Sequence, residues 1–353
     1  MVAYQRSTGG GGRASQLPTV AIIIPCYNEA DYIRQCLDSL LSTSYDLRLI
    51  EIVVVDGMSH DGTRTILSQY TRRYPNLRVL DNQKRIKPVA LNLGITNTDS
   101  QIVMRADAHS VYDTEYIPTL INALLVYQVE NAGGLRRTAV STRLLAKAIG
   151  EAISHPFATG NARWRGSPKE VMSVDTVFGG CYPRRVFDRL GLFNERLIRT
   201  QDREFNYRLR RAGGQILLVP SASCTYFPRT EIGHYIRWIW QGAYWLCYAR
   251  RFTATPLISV RNLVPALFIV WHFIVLGAAA WSASLGLVTT LPIALYWLVV
   301  ATVSTGIAIK HRLPSLAPMM ALVFGVTHYA YGVGEICGFL HATLRGRSEG
   351  GGP

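Results

Sequence analysis

The sequence predicts an α/β domain built on a doubly wound, mostly parallel sheet, followed by a membrane-embedded segment. Three observations predict it. Strand-like and helix-like patterns alternate four times between Val20 and Arg105, the signature of strand–helix–strand units. No Asp, Glu, Lys or Arg occurs from Asn262 to Ile309, a run long enough for two spans of roughly 20 residues each. Between these regions, Tyr235, Trp238, Trp240, Tyr244, Trp245, Tyr248 and Phe252 are interleaved with Arg237, Arg250 and Arg251. Aromatic and basic residues mixed in this way describe a helix lying in a membrane interface.

Residues 1–17 are polar and Gly-rich and read as a disordered tail, not an export signal. Val20 to Ile24 is a compact β-branched run, a buried strand closed by Pro25. Cys26-Tyr27-Asn28-Glu29 follows, then a helix with Ile33, Leu37, Leu40 and Leu41 on one face. Ile50 to Val55 is a second strand, ended by Asp56-Gly57, with a turn and a helix after it. Leu77 to Leu80 is a third. Pro88 opens a short helix, and proline suits a first turn. The strand Ile102 to Arg105 runs into Asp107-Ala108-His109. Residues 115–127 look helical, whereas 130–180 read as irregular, a length that suggests a substrate-facing region. Gln201-Asp202 opens a helix closed by Gly213-Gly214, and Ile216 to Val219 is a last strand. No G-x-G-x-x-G follows the first strand and no P-loop is present, which weighs against a dinucleotide dehydrogenase and a P-loop NTPase.

The net charge of +14 allows nucleic acid, an anionic membrane or an anionic substrate as partner. With spans present, a membrane surface and a phosphate-bearing substrate explain it, and no nucleic-acid-binding signature is found. The six cysteines form no C-x-x-C pair, as expected of reduced thiols in a cytoplasmic domain. A third apolar run, Leu316 to Leu340, carries one charge, Glu335. The loop before it holds Lys310, His311 and Arg312, and positive loops face the cytoplasm, so the large domain is expected there, at a plasma or inner membrane. Three spans would put Arg345 and Arg347 outside, a conflict that a partly re-entrant third segment would relieve.

Asp56, Asp107 with His109, and Asp202 each sit after a strand or before a helix. Asp107 and His109 are a candidate pair for Mn²⁺ or Mg²⁺, a carboxylate suiting both ions and imidazole favouring Mn²⁺. A surface turn explains that tripeptide equally. Asp202 at a helix start is a candidate base for a hydroxyl nucleophile, or a helix cap.

Four stretches carry a resemblance: Pro25 to Glu29, the run VVVDGMSHDGT at 53–63, the D-x-D-like Asp107-Ala108-His109, and QDREFNYRLRRAGG at 201–214. Together they resemble the family 2 glycosyltransferases with a GT-A fold, a nucleotide-diphospho-sugar transferase (Rossmann-like) architecture. NQKRIKPVALNLGI (82–95), MRADAH (104–109) and DTVFGGCYPRRVF (175–187) bring the chain nearest to the bacterial succinoglycan-type exopolysaccharide glucosyltransferases. The resemblance implies a GT-A domain over 18–230; the aromatic-basic stretch predicts an interface helix region over 231–260, and the apolar runs predict spans near 263–281, 287–309 and 316–340 within 261–343, with a tail from 344. It implies that Asp56 holds the nucleoside of a nucleotide sugar, beside Pro25, Tyr27, Asn28 and Glu29. Lys84 and Arg85 would reach the nucleotide, and Asp107 would meet the diphosphate through the metal. His109 stands where an Asp is usual, and Gln201 where many relatives have Glu. Asp202 would be the general base with Arg208 behind it, and Gly179-Gly180 would leave room for sugar or acceptor. The implied reaction is a single inverting displacement from a donor such as a UDP-sugar onto a lipid-linked saccharide.

One more pattern, His234-Tyr-Ile-Arg237-Trp238, has the spacing of the Q-x-x-R-W signature of processive synthases, with His in place of Gln. Polymer synthesis is therefore a second expectation, and a non-catalytic membrane scaffold a third. The oligomeric state stays open.

Overall fold

The structure is a computed structural model that describes residues 17–160, 168–228, 230–255 and 257–345. Most of both expected tails, 1–16 and 346–353, lies outside these residues.

The expected α/β architecture is present. In the first half the elements are β1 (Val20–Cys26), α1 (Ile33–Leu41), β2 (Ile50–Asp56), α2 (Thr63–Arg73), β3 (Leu77–Asp81), α3 (Lys87–Thr96), β4 (Ile102–Arg105), β5 (Ser110–Tyr112) and α4 (Tyr116–Tyr127). In the second half they are β6 (Asn131–Thr138), α5 (Leu144–Ser154), α6 (Pro156–Thr159), β7 (Met172–Ser173), β8 (Cys181–Pro183), α7 (Arg185–Leu190), α8 (Gln201–Arg211) and β9 (Ile216–Tyr226). The strands form one sheet in the order β3-β2-β1-β4-β8-β6-β9-β5, with β7 on β9. The β-branched run of β1 lies at its centre because both sheet faces are covered there: Ile22 and Ile24 pack into one core, Ile23 into the other.

The sheet is less uniformly parallel than its sequence suggests. β3, β2, β1 and β4 are parallel, but β8 enters antiparallel to β4 and to β6. The reason lies at Gly179-Gly180. Both have positive φ, 73° and 95°, and a Cβ on Gly179 would lie 2.9 Å from the Arg105 carbonyl oxygen. This tight turn feeds β8 back along β4, and the Arg105 amide donates to the Gly180 carbonyl at 2.9 Å.

The stretch expected to be irregular, 130–180, contains β6 and α5. Its apolar pattern is broken by Gly133-Gly134 and Arg136-Arg137, which conceal a buried strand. The glycines are there for packing: a Cβ would lie 2.4 Å from Val177 at Gly133, and 2.4 Å from the Ala222 carbonyl oxygen at Gly134. Arg136 is buried with its guanidinium over the Tyr226 ring at 4.4 Å.

Beyond the sheet come α9 (Ile232–Tyr248), α10 (Val260–Trp281), α11 (Ala283–Lys310) and α12 (Leu316–Leu344). The last three are long and apolar enough to cross a membrane. α12 is one continuous helix of 29 residues, not the partly re-entrant segment that the charge pattern suggests. α9 runs side by side with α12 in the same direction, from Tyr235–Thr327 (2.8 Å between hydroxyls) to Tyr244–His341 (2.8 Å). Gly334 and Gly338 make the seam: a Cβ there would lie 2.5 Å from the Trp240 carbonyl oxygen and 2.3 Å from that of Tyr244.

Candidate active site

The parallel strands end on one side of the sheet, and the loops leaving them are tied to each other. The Asn28 amide donates to Ser59 Oγ at 2.8 Å, the His60 amide to Asn28 Oδ1 at 3.0 Å, and the Glu29 amide to Thr63 Oγ1 at 2.9 Å. Asn28 takes a positive φ of 52°, which asparagine tolerates. Asp56, the last residue of β2, is fully buried. Its Oδ1 accepts from Ser59 Oγ at 2.5 Å, and its Oδ2 from the Ser59 amide at 3.0 Å and Arg64 Nη1 at 3.1 Å. Tyr27, after Pro25-Cys26, lies over Gly57 with its ring exposed between His60 and Arg85, whose guanidinium is 5.8 Å from the ring centroid. These groups set a buried carboxylate at the end of β2 near an exposed aromatic ring that follows β1.

One strand over, β4 delivers Asp107. Its backbone is fixed by Tyr112, whose hydroxyl accepts from the Asp107 amide at 2.8 Å. Lys87, the first residue of α3, puts Nζ 2.7 Å from Asp107 Oδ1. Burial works against ionisation of this carboxyl, but Lys87, Arg105 and His109 outweigh it and hold it well below the ordinary carboxylate range. His109 turns its Nδ1 to Glu29 Oε1 at 3.0 Å and sets its ring edge-on to Tyr226.

Asp202 lies in the first turn of α8, with its side chain about one-third exposed. Its Oδ2 is 3.5 Å from Nη1 of Arg105, while Nη2 of the same guanidinium is 3.9 Å from Asp107 Oδ1. Burial disfavours the charge on Arg105, and the two carboxylates reverse this and raise its pKa. One buried cation thus joins the end of β4 to the start of α8.

Other expected site residues stand apart from this constellation. Lys84 reaches Glu195 at 3.4 Å and lines a separate cleft with Asn82, Asn92 and Leu192. Arg208 is clamped to Glu204 and to the carbonyls of Leu190 and Leu192, so it fastens α8 to the loop after α7. Gln201 is buried beneath the start of α8, and Gly179-Gly180 form the turn beside Arg105. Arg237 is exposed on α9, and Trp238 stacks on Tyr235. Among the described residues no hydrogen bond or ion pair carries either to Asp107 or Asp202. Lys87, Arg105 and Ser59 fall inside the stretches that carry the resemblance, but no role is read for them there. A charged residue inside the four-residue buried strand of β4 was the available signal for Arg105.

No group of three or more His, Cys, Asp or Glu side chains placed to hold a metal occurs among the described residues. Asp107 and His109 are the donors available for a divalent ion, and their chemistry fits one. The Glu29 carboxylate takes the Nδ1 side of His109 and leaves Nε2 for a ligand role, as outer-shell carboxylates do for metal-bound histidines. Two protein donors suit an ion whose remaining positions go to phosphate oxygens and water.

Residues 21–191 match the family described as Glycosyl transferase family 2. Among curated proteins, the chain is 26% identical over 226 residues to the dolichyl N-acetyl-α-D-glucosaminyl phosphate 3-β-D-2,3-diacetamido-2,3-dideoxy-β-D-glucuronosyltransferase of Methanococcus voltae, covering 62% of this chain and 70% of that protein. It is 28% identical over 215 residues to the succinoglycan biosynthesis protein ExoA of Rhizobium meliloti, covering 60% of this chain and 64% of the relative. Among solved structures, a mannosyltransferase from Pyrobaculum calidifontis in complex with GDP-mannose and Mn²⁺ shares the fold, with a TM-score of 0.59 at 20% identity over 90% of this chain and 88% of that one.

Proposed function

On the premise that this chain is a glycosyltransferase with a family 2 domain over residues 21–191, we propose that it transfers one sugar from a nucleoside-diphosphate donor, a UDP-sugar, to a lipid-linked saccharide at a membrane surface, with inversion. The observation that carries this reading is the placement of Asp107 and Asp202 on either side of the Arg105 guanidinium, at 3.9 and 3.5 Å. A leaving-group site and a base lie next to each other at the strand ends, where α/β sheets bind ligands.

Tyr27, Asp56 and Arg85 receive the nucleoside, the base against the Tyr27 ring. Lys87 faces the diphosphate. Asp107 and His109 would hold Mn²⁺ or Mg²⁺, which when bound supplies Lewis-acid neutralisation of the leaving diphosphate. Asp202 takes the proton of the acceptor hydroxyl. The hydroxyl oxygen forms the bond to the anomeric carbon as the bond to the diphosphate oxygen breaks, so an α-linked donor gives a β-linked product. Arg105 keeps Asp202 aimed at the hydroxyl.

The name of the Methanococcus relative, which specifies a dolichyl-phosphate-linked sugar, supports a lipid-linked acceptor. Helix α10 supports a bilayer: it has 22 residues and not one of its side chains is buried. The basic Lys310–Arg312 loop touches the catalytic domain through His311 Nε2 and Glu151 Oε1 at 3.0 Å. That supports placing both on the cytoplasmic side of the plasma membrane.

The test is Asp202→Asn in purified protein, reading UDP release from donor and lipid-linked acceptor. A loss of about 10²–10⁴-fold is expected for removal of a general base. Release at the wild-type rate would sink the mechanism, and a ladder of long chains from one acceptor would replace single transfer with polymer synthesis.

A further inference from the structure

Three helices are apolar enough to cross a bilayer, yet they are held very differently. No side chain of α10 is buried, and few of α11 are. On α12, buried side chains run from Leu316 through Phe324 and Glu335 to Ala342. What covers them belongs to α9 and the catalytic domain and, over the first half of α12, also to α11. Near the start of α12, His311 pairs with Glu151 of α5. A few turns on, His328 Nε2 meets the Phe157 carbonyl oxygen at 3.0 Å, and Phe157 packs edge-on against Phe324. Beyond that, α9 lies along the seam of Gly334 and Gly338, and at the far end His341 bonds the Tyr244 hydroxyl.

Helix α9 is itself fastened to the catalytic domain. Arg199 Nη2 donates to Gln241 Oε1 at 2.7 Å, and Asn194 Nδ2 donates to the Phe252 carbonyl at 3.2 Å just beyond the helix. Leu246 and Ala249 share a core with Leu197. The two ends of α12 are therefore both held, directly or through α9, by the same water-facing domain. From Leu316 to His341 helix α12 rises about 38 Å at 1.5 Å per residue, more than the roughly 30 Å of a hydrocarbon core. If α12 crossed, it would carry Arg237, Gln241 and Arg250 of the α9 segment with it, and part of the catalytic domain would have to follow. Charged side chains at that depth are costly.

Helices α10 and α11 show the opposite arrangement. α10 crosses α12 between Tyr329 and Glu335, where a Cβ on Gly332 would lie 2.4 Å from the Pro265 carbonyl oxygen, and beyond the crossing Phe273, Ile274 and Leu276 are exposed. α11 returns antiparallel to α10, with Gly286 against Ala279. It comes to rest against the first half of α12, through Tyr296–His328 and Trp297–Gly325.

We propose that α10 and α11 are the two segments that cross the bilayer, as a hairpin turning at Ser282, and that α12 lies along the near membrane surface as a fixed part of the catalytic unit. Two crossings return the chain to its starting side. Lys310, Arg312 and Arg345 then all lie on the side of the catalytic domain, which removes the charge conflict that three spans create. The surface that α12 presents, with Leu322, Val333, Phe339 and Leu340 exposed, is matched to the acyl boundary of a lipid leaflet.

The experiment is sidedness in sealed vesicles of the full chain. Epitope tags are placed before Leu17, in the turn at Ser282 and after Arg345, each in a separate protein that retains transferase activity, and probed from outside before and after permeabilisation. The expected result is that the first and last tags share one side and the Ser282 tag lies on the other. The last tag on the opposite side from the first would overturn the proposal by making α12 a span. All three tags on one side would overturn it by making α10–α11 a re-entrant hairpin. Because an inserted tag can perturb a short turn, Ser282→Cys and Arg345→Cys are labelled in parallel with a membrane-impermeant maleimide. Five of the six native cysteines are buried, and the sixth, Cys337, is replaced by Ala. The Ser282→Cys and Arg345→Cys proteins are expected to label from opposite sides, and labelling of both from one side overturns the proposal.

Discussion

The carboxylates at the ends of β2 and β4 and the carboxylate at the start of α8 are built on different terms. Asp56 and Asp107 are buried and closely partnered, Asp56 by Ser59 and Arg64, Asp107 by Lys87 at 2.7 Å. Asp202 is one-third exposed and has its Arg105 contact only at 3.5 Å. On the proposed mechanism the donor half of the site is thus organised before any ligand arrives, whereas the acceptor half keeps its carboxylate accessible. A base has to reach a hydroxyl on a second substrate, and a carboxylate saturated with short hydrogen bonds would be a poor one. Arg105 is what the halves have in common.

Removing that shared group is the strongest way to break the distinction. Taking away one member of a buried ionic cluster costs about 3–5 kcal/mol; a loss of that size felt in the transition state is expected to lower kcat/KM of Arg105→Met by roughly 10²–10⁴-fold. Both kcat and donor KM should suffer, since Asp107 and Asp202 lose the same partner. Arg105→Lys keeps the charge but not the fork that reaches two carboxylates, and should restore the donor KM more than kcat. Steady-state kinetics with varied donor decides it. An Arg105→Met enzyme impaired in donor KM alone would mean that the guanidinium serves only the donor half.

Lys87 sharpens the comparison from the other side, because its contact is confined to Asp107. A charge-assisted hydrogen bond contributes about 1.5–3 kcal/mol, so Lys87→Met should weaken UDP binding by roughly 10–100-fold and leave kcat at saturating donor nearly intact. Calorimetric titration with UDP checks the first half, and initial rates check the second. A fall in kcat at unchanged UDP affinity would move Lys87 out of the donor half.

How much of this was legible follows from where each charge sits in the chain. Asp56, Asp107 and Asp202 stand at the junctions of strands, turns and helices, where ligands of α/β sheets bind, and the sequence marks them even though a turn or a cap also accounts for Asp107 and Asp202. Lys87 and Arg105 lie inside elements, one in the first turn of α3 and one in β4, where a charge reads as ordinary helix or edge chemistry. Only the packing of α3 over the sheet brings Lys87 to the end of β4. Lys84 shows the reverse: the resemblance implied that it reaches the nucleotide, and the chain turns it toward Glu195. Arg208 likewise had the right spacing behind Asp202, yet its three hydrogen-bonding nitrogens are spent on Glu204 and two carbonyls. The fold was legible where apolar periodicity is clean, as in β1, β2 and α10. It was hidden in β6, where Gly133, Gly134 and Arg136 meet packing needs that no local pattern reveals.

The smallest expected effect probes whether the organisation of the donor half serves the ligand or only the fold. Ser59 Oγ donates to Asp56 Oδ1 at 2.5 Å and accepts from the Asn28 amide at 2.8 Å, so one hydroxyl ties the carboxylate to the loop that carries Tyr27. Ser59→Ala leaves both groups short of a partner in a buried setting, worth about 1–3 kcal/mol. Arg64 and the residue-59 amide still hold Oδ2, so Asp56 stays in place and the loss should fall on the loop. The expected outcome is a lower midpoint in urea, UDP affinity reduced a few-fold and kcat unchanged. If stability falls and UDP affinity does not, the Asp56–Ser59 pair is scaffolding, and the nucleoside is recognised by the Tyr27 ring and Arg85 alone. If affinity falls without loss of stability, the hydroxyl touches the ligand itself, and the donor half reaches closer to the nucleoside than its hydrogen bonds to the loop imply.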